Sequence, residues 1–268
     1  MQATFKTIGL LRFSVLTPTY YSERFPTLEE TAAHLFSPER MELRFRLFET
    51  LCLPSLAGQS DPDFTAIVLT AESMPEPWLS RLEALVAPYP HIHLRKAGTG
   101  NHYPLLREAY GSVDVGKASH RIMFRLDDDD AVDRDFVART KRLAKGLVAL
   151  RSPEAPVIIA YNRGFYVDTA DGGNEVFDAC ERAPLSTGTT LVAPVDYKNN
   201  PYRYVHRKFP QHYDCYSDIS VPAFIRSVHG DNKSNPTQMG LTRKMKPKDI
   251  ATAIRTHFHL TLEDLKAI

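Results

Sequence analysis

The sequence predicts an α/β fold: a mostly parallel β-sheet with helices on both faces and a small antiparallel β-hairpin region. Short apolar, β-branched segments alternate with segments of helical periodicity. Successive strands are separated by roughly 15–30 residues, a spacing that favours parallel pairing through crossovers. Four consecutive aspartates follow one apolar segment directly. Ligands of open parallel sheets bind beyond the carboxyl ends of the strands, so we expect a site at this edge.

Length and composition are those of an ordinary globular protein. The chain has 268 residues, of which 43% are hydrophobic and 24% charged. A formal net charge of +1 gives no electrostatic case for binding nucleic acid or an anionic membrane surface. The three cysteines form no CxxC pair, which favours reduced thiols and a cytoplasmic protein. The apolar runs are too short for a transmembrane segment, and a peripheral contact with a membrane is left open.

The first half of the chain predicts alternating strands and helices. The N-terminal stretch lacks the features of a signal peptide and is interpreted as the first strand, in which residues 12–19 stop at Pro18. Further strands are predicted at 64–72, 91–97 and 120–126, and helices at 37–57, 76–89 and 101–117.

The helix predicted at residues 37–57 has clear start signals. Ser37 can cap it, and Pro38 suits its first position. Pro54 is expected to kink it or end it early. Its buried stripe is predicted to comprise Met41, Phe45, Phe48, Cys52 and Leu56.

The second half of the chain is less regular. Residues 155–168 and 174–179 predict a β-hairpin around the glycines of "TADGG". Residues 195–249 show little regular pattern and are rich in tyrosine and histidine. The remaining predicted elements are a helix at 134–150, a strand at 187–194 and two short helices in 249–268, the second with a capping box of Thr261 and Asp264.

Residues 127–130 are four aspartates whose like charges disfavour one another's ionisation. One alternative is an acidic turn that begins the next helix, and this role suits Asp133 and Asp135. It suits residues 127–130 less well, because a helix cap needs only one carboxylate. An EF-hand calcium loop would need a glycine and a glutamate that are missing at the required offsets. We favour a divalent cation shared with a diphosphate, because Mg²⁺ and Mn²⁺ prefer oxygen ligands and commonly bind carboxylates together with substrate phosphates.

The segment "FRLDDDDAVDRDFV" (124–137) resembles the Asp-x-Asp segment of nucleotide-sugar glycosyltransferases of the GT-A fold, which is Rossmann-like. "FSVLTPTY" (13–20) resembles the first strand of that family. "LCLPSLAGQSDPDFTAIVLTAE" (51–72) resembles its first helix, its Ser–Leu–x–x–Gln turn and its second strand. Together these segments look most like rhamnosyltransferases, and the resemblance covers about residues 10–140.

The resemblance implies a single GT-A-like domain over residues 1–268. Residues of about 10–135 would bind the nucleotide and those of about 136–268 the acceptor. The implied activity is transfer of a sugar, rhamnose among the candidates, from a nucleoside diphosphate sugar to a glycan or another acceptor hydroxyl. Such a transfer would use Mn²⁺ or Mg²⁺ and would belong to polysaccharide or glycoconjugate synthesis.

The resemblance also implies roles for individual residues. Asp129 is expected to coordinate the metal, and His229 is the candidate for a second ligand. Asp214 and Asp218 are the candidates for the base that deprotonates the acceptor, and Asp214 is favoured because it follows a predicted strand and a stretch rich in aromatic residues. The Glu–Asp dipeptide that carries the base in related enzymes is absent. The expected donor-binding residues are Thr17 and Pro18 beside the base, Glu72 near the base or ribose, Asp127 and Asp128 beside the ribose or sugar, and Lys233 on the diphosphate.

Three other functions use some of the same features. A nucleotidyltransferase also needs strand-end carboxylates and a metal, but it usually has a glycine-rich basic loop after its first strand, where this chain has "TPTYYSERF". An aspartyl phosphatase would need its Asp-x-Asp directly after the first strand. A non-catalytic sugar-binding module would need neither metal nor base.

Overall fold

A computed structural model describes residues 3–170, 173–232 and 242–268. The described strands form two sheets. Numbered along the chain, the strands are β1 (Phe5–Phe13), β2 (Thr65–Ala71), β3 (Ile92–Ala97), β4 (His120–Asp127), β5 (Asp130–Val132), β6 (Val157–Tyr161), β7 (Arg163–Ala170), β8 (Gly173–Cys180), β9 (Thr190–Pro194), β10 (Asp214–Asp218) and β11 (Phe224–Val228).

The larger sheet has the strand order β10-β6-β9-β4-β1-β2-β3. Strand β9 runs antiparallel to both of its neighbours, and the other adjacent pairs are parallel. The carboxyl ends of β1, β2, β4, β6 and β10 therefore lie along one edge of the sheet. The mostly parallel sheet predicted from the sequence is confirmed.

The smaller sheet has the order β5-β11-β7-β8 and contains the predicted hairpin, formed by β7 and β8. The prediction of one strand over 155–168 was wrong, because the chain changes sheets at Asn162. The backbone N–H of Asn162 donates to the carbonyl of Asp218 at 3.1 Å, and its side-chain amide donates to the carbonyl of Glu181 at 2.9 Å.

Helices cover both faces of the larger sheet, as predicted. Along β1, Leu11 and Phe13 point to one face and Ile8 and Leu10 to the other, as the alternation of side chains in a strand requires. The described helices are α1 (Leu28–Leu35), α2 (Pro38–Leu47), α3 (Leu53–Ala57), α4 (Glu76–Val86), α5 (His102–Gly111), α6 (Phe136–Leu150), α7 (Pro247–His257) and α8 (Leu262–Lys266). Side chains of α2, α3, α4 and α6 pack on the face of Phe13, and those of α5 pack on the face of Ile8.

The predicted helix at 37–57 forms, and its five-residue apolar stripe is fully buried. Pro54 does not end it. A π-helical turn at Phe48–Cys52 joins α2 to α3, and Pro54 falls in the first turn of α3, where a missing N–H is tolerated. Pro38 begins α2 as predicted, but the capping role of Ser37 was wrong. The hydroxyl of Ser37 donates back to the carbonyl of His34 at 3.1 Å.

Other boundaries differ from the predicted ones for local reasons. Strand β1 ends at Phe13 rather than at Pro18, because Ser14 has a positive φ of 51° that leaves the extended conformation. Residues 195–249 hold β10, β11 and a 3₁₀-helix at His206–Gln211, none of which their pattern indicated. The two predicted C-terminal helices are present, and the Thr261–Asp264 capping box is confirmed.

Gly9 on β1 lies directly beside Phe124 on β4 and packs against its aromatic ring. A Cβ atom at this position would overlap the ring of Phe124, and both residues are in the core of the sheet. We expect Gly9→Ala to lower the free energy of unfolding by about 1–3 kcal/mol, the usual cost of overpacking. Urea denaturation would measure it.

Gly146→Ala is the matched control, since an added Cβ would meet nothing within 4 Å in the exposed interior of α6. This change should raise the free energy of unfolding by about 0.5–1 kcal/mol. Parent-like stability of Gly9→Ala would contradict the close packing of β1 against Phe124.

Candidate functional site

The aspartate cluster lies at the edge of the larger sheet where strand carboxyl ends meet. Strand β4 ends at Asp127, and β5 begins at Asp130 in the smaller sheet, so Asp128 and Asp129 lie between the two sheets. All four aspartates line a cavity with about 720 Å³ of empty space, part of it open to solvent. Position and pocket are those expected for a ligand site of an open α/β sheet.

Asp127 is neutralised from the neighbouring strand. Arg12 on β1 stands beside Asp127 in the parallel register and forms an ion pair with it. The guanidinium of Arg12 also lies 4.7 Å from the ring centre of Tyr20 and 5.1 Å from that of Tyr202. Burial favours the neutral form of Asp127, but Arg12 and Arg125 outweigh it and lower the pKa of Asp127 to about 2.

Arg44 on α2 pairs with both of the next two aspartates. It forms an ion pair with Asp128, to which its Nε donates at 3.1 Å, and its Nη1 donates to Oδ2 of Asp129 at 2.9 Å. All three side chains are buried. A buried arginine whose fork meets two carboxylates is a strong, geometrically specific arrangement.

Asp129 has further partners on the loop after β11. Oδ2 of Asp129 lies 2.9 Å from Nε2 of His229 and 3.2 Å from Nδ2 of Asn232. The hydroxyl of Ser227 donates to the backbone carbonyl of Asp129 at 2.8 Å. Burial opposes the charge of Asp129, yet Arg44 and His229 hold its pKa well below the ordinary value.

The pKa of Asp130 is shifted in the opposite direction from those of Asp127 and Asp129. Its carboxyl accepts hydrogen bonds from the Thr187 hydroxyl at 2.5 Å and the Ser227 amide at 3.3 Å. Burial, and then the charge of Asp129, raise the pKa of Asp130 well above its ordinary value. The cluster therefore relieves its own repulsion with two arginines and one carboxyl that favours the protonated form.

Arginines lining the cavity were missed in the sequence. Besides Arg12 and Arg44 they include Arg40, whose Nε lies 2.9 Å from Oδ2 of Asp231, and Arg226 on β11. The sequence contains a signal for two of these arginines. Arg40 and Arg44 are four residues apart in α2, on the side of the helix that carries the buried stripe, where an unpaired arginine would be costly.

The structure brings only some of the expected donor-binding residues together. Asp127 and Asp128 line the cavity, whereas Thr17, Pro18 and Glu72 do not. Thr17 is buried in the turn after β1, where its Oγ1 accepts a hydrogen bond from the amide of Tyr20 at 3.1 Å. Pro18 and Glu72 are exposed. Lys233 lies outside the described residues.

Neither candidate base lines the cavity. Asp214 begins β10, at the opposite end of the sheet from the aspartate cluster, and pairs with Arg151 with 72% of its side chain exposed. Asp218 ends β10 at the same edge as the cluster, but it is buried, with Oδ2 3.2 Å from Nε of Arg139. On placement, Asp218 is the better candidate of the two.

Gln59, from the Ser–Leu–x–x–Gln turn, holds the segment that follows the cluster. Its side-chain nitrogen donates to the carbonyl of Asp133 at 2.8 Å, and its oxygen accepts from the amide of Val137 at 2.9 Å. The side chain thus joins the end of α3 to the start of α6. This explains physically why a glutamine suits that position.

Asp129 and His229 offer two ligands to a cation. In the structure the two side chains are hydrogen-bonded at 2.9 Å, and neighbouring ligands of an ion with bonds of about 2.1 Å also lie about 3 Å apart. Within the described residues no group of three histidine, cysteine, aspartate or glutamate side chains could hold a metal. Two protein ligands fit Mg²⁺ or Mn²⁺ if a diphosphate supplies the others, and such an ion would share Asp129 with Arg44.

One protein family matches most of the chain. The family model described as "Putative rhamnosyl transferase" matches residues 6–241. The chain belongs to this family. The matched part of the sequence contains the aspartate cluster and His229, together with the other residues that line the cavity.

Solved structures give weaker likenesses to this rhamnosyl transferase family chain. The structure of S. aureus TarS 1–349 is 13% identical with a TM-score of 0.44, over 83% of this chain and 60% of that one. The longer S. aureus TarS structure is 12% identical with a TM-score of 0.45, and the match covers 84% of this chain and 37% of that one. The chain thus spans less than two thirds of either. None of the curated proteins matches it.

Within residues 3–170, 173–232 and 242–268, none of the helices combines the length and apolar character needed to cross a bilayer.

Proposed function

We propose that this protein transfers a sugar from a nucleoside diphosphate donor to an acceptor hydroxyl, with a Mn²⁺ or Mg²⁺ ion held by Asp129 and His229. The family description makes rhamnose the first donor sugar to test. The observation that carries the proposal is the 2.9 Å approach of Asp129 and His229 beside a cavity at the carboxyl ends of the strands. Bound there, the ion would neutralise charge that develops on the departing diphosphate.

The other cavity residues suggest how the donor lies. Tyr20 and His102 stack with ring centres 4.6 Å apart and line the cavity, which suits them to pack against a nucleobase. Asp127 keeps 22% of its side chain exposed beside Arg12 and can accept hydrogen bonds from ribose or sugar hydroxyls. We assign the base-binding role to Tyr20 and His102 in place of Thr17 and Pro18.

The test is a thermal-shift screen of uridine, thymidine, guanosine and cytidine diphosphates, each with Mn²⁺ and with EDTA. One nucleotide is expected to raise the melting temperature in Mn²⁺ and to do so less in EDTA, because ligand binding to the folded state stabilises it. Sugar donors of that nucleotide, rhamnose first, would then be tested for hydrolysis and transfer. If none of the four diphosphates shifts the melting temperature with Mn²⁺, the proposed donor site is wrong.

A further inference from the structure

Arg226 differs from the other arginines that line the cavity. Arg12 pairs with Asp127, Arg40 with Asp231, and Arg44 with Asp128 and Asp129. Among the residues that the structure describes, Arg226 has no carboxylate oxygen within 4 Å of its guanidinium. It is nevertheless partly buried and lines the cavity.

The carboxyl group that faces Arg226 across the strand pair is already hydrogen-bonded to other residues. Asp130 stands opposite Arg226 in the antiparallel register of β5 and β11. The two oxygens of Asp130 accept hydrogen bonds from Thr187 and from the backbone of Ser227. The guanidinium of Arg226 instead lies 5.9 Å from the ring centre of Tyr166, within the range of a cation–π contact.

A partly buried arginine without a carboxylate partner among the described residues, placed in a polar cavity, is suited to bind an anion from outside the protein. The planar fork of guanidinium matches phosphate oxygens in a bidentate way. Strand β11 also leads directly into the loop that carries His229, and Asp129, the other expected metal ligand, lines the same cavity as Arg226. Lys233, to which the resemblance assigned the diphosphate, lies outside the described residues.

From these contacts we infer that Arg226 binds the diphosphate of the donor and stabilises it as the leaving group. This inference rests on the proposed function. In the transfer, the bond between the anomeric carbon and the β-phosphate oxygen breaks, and its electron pair stays on that oxygen. The acceptor oxygen bonds to the anomeric carbon and gives its proton to a carboxylate or to water. Arg226 donates hydrogen bonds to the phosphate oxygens on which the negative charge grows.

Binding of inorganic pyrophosphate, the four nucleoside diphosphates and the four nucleosides, measured by calorimetry in Mn²⁺, tests the inference. Arg226→Gln is expected to weaken binding of pyrophosphate and of the selected diphosphate by about 10- to 100-fold, the weight of a charge-assisted hydrogen bond. Binding of the matching nucleoside should change little. Arg46→Gln is the matched control, because Arg46 is exposed on α2 and does not line the cavity.

The outcomes separate this inference from the proposed function. If the parent protein binds none of the diphosphates, the proposed function fails. If the parent binds one and Arg226→Gln binds it equally well, Arg226 does not hold the diphosphate. Equal weakening of nucleoside and diphosphate would show a merely structural role and would also overturn the inference. Should Arg226→Gln not fold, Arg226→Lys replaces it. Because Arg226→Lys replaces the planar guanidinium by a single ammonium group, it should still weaken pyrophosphate binding. Parent-like binding would contradict the assignment.

Discussion

Asp129→Asn is expected to lower the rate of metal-dependent sugar transfer by at least about 100-fold, a loss typical of removing one group that stabilises charge in a transition state. The asparagine keeps the size of the side chain and can still accept a hydrogen bond from Arg44, which Asp129 accepts at 2.9 Å. It removes the negative charge that a divalent cation needs beside His229. The rate would be measured with the donor identified in the nucleotide screen, over a titration of Mn²⁺.

Asp135→Asn is the matched control for that change. Asp135 belongs to the same acidic segment, but it is exposed and accepts a hydrogen bond from the Ser60 hydroxyl at 2.6 Å, away from the cavity. We expect the control to keep the parent rate and the parent Mn²⁺ dependence. A parent-like rate and an unchanged Mn²⁺ titration in Asp129→Asn would remove Asp129 from the metal site.

The location of the site could be predicted because it depends on one local rule. An apolar run followed by carboxylates marks the end of a strand, and strand ends gather at one edge of a parallel sheet. That reasoning placed Asp127, Asp128 and Asp129 correctly at the edge where the cavity lies. The same reasoning predicted that a metal ion offsets the repulsion among these carboxylates, because it considered only residues close to them in sequence.

In the structure, the positive charges that offset this repulsion belong to arginines distant in sequence. Arg12 is 115 residues from Asp127, and Arg44 is 84 residues from Asp128. The first pair requires β1 to lie beside β4, and periodicity does not give strand order. Arg44 requires α2 to pack over the end of β4.

Asp214 failed to reach the cavity for a related reason. Its segment was read as irregular, so the direction of β10 was unknown, and Asp214 begins that strand rather than ending it. His229 shows the converse. Its expected proximity to Asp129 came from resemblance alone, and the structure brings the two side chains to 2.9 Å across 100 residues of sequence.

Arg44→Gln is expected to cost about 3–5 kcal/mol of unfolding free energy at pH 7, because it leaves the carboxylates of Asp128 and Asp129 buried without their cation. The loss should depend on pH. The pKa of Asp129 is lower in the folded protein than in the unfolded chain, where it is about 3.9. Its ion pair therefore stabilises the fold above about pH 4, and this contribution is lost as the pH falls below that value.

Without Arg44, burial dominates and favours the protonated form of Asp129, so acid should restore part of the lost stability relative to the parent. Urea denaturation between pH 7.5 and 4 would show a difference from the parent that shrinks as the pH falls. Arg46→Gln, on the exposed side of the same helix, should stay within about 0.5 kcal/mol of the parent throughout.

The double variant Arg44→Gln/Asp129→Asn separates lost charge compensation from lost packing. It should be more stable than Arg44→Gln alone at pH 7, because one uncompensated carboxylate is gone. A cost for Arg44→Gln that is the same at every pH, and that the second change does not reduce, would mean that Arg44 stabilises the fold by packing alone. The aspartate cluster would then tolerate its own charge without the arginine, and the balance of charges around Asp129 derived from the structure would be wrong.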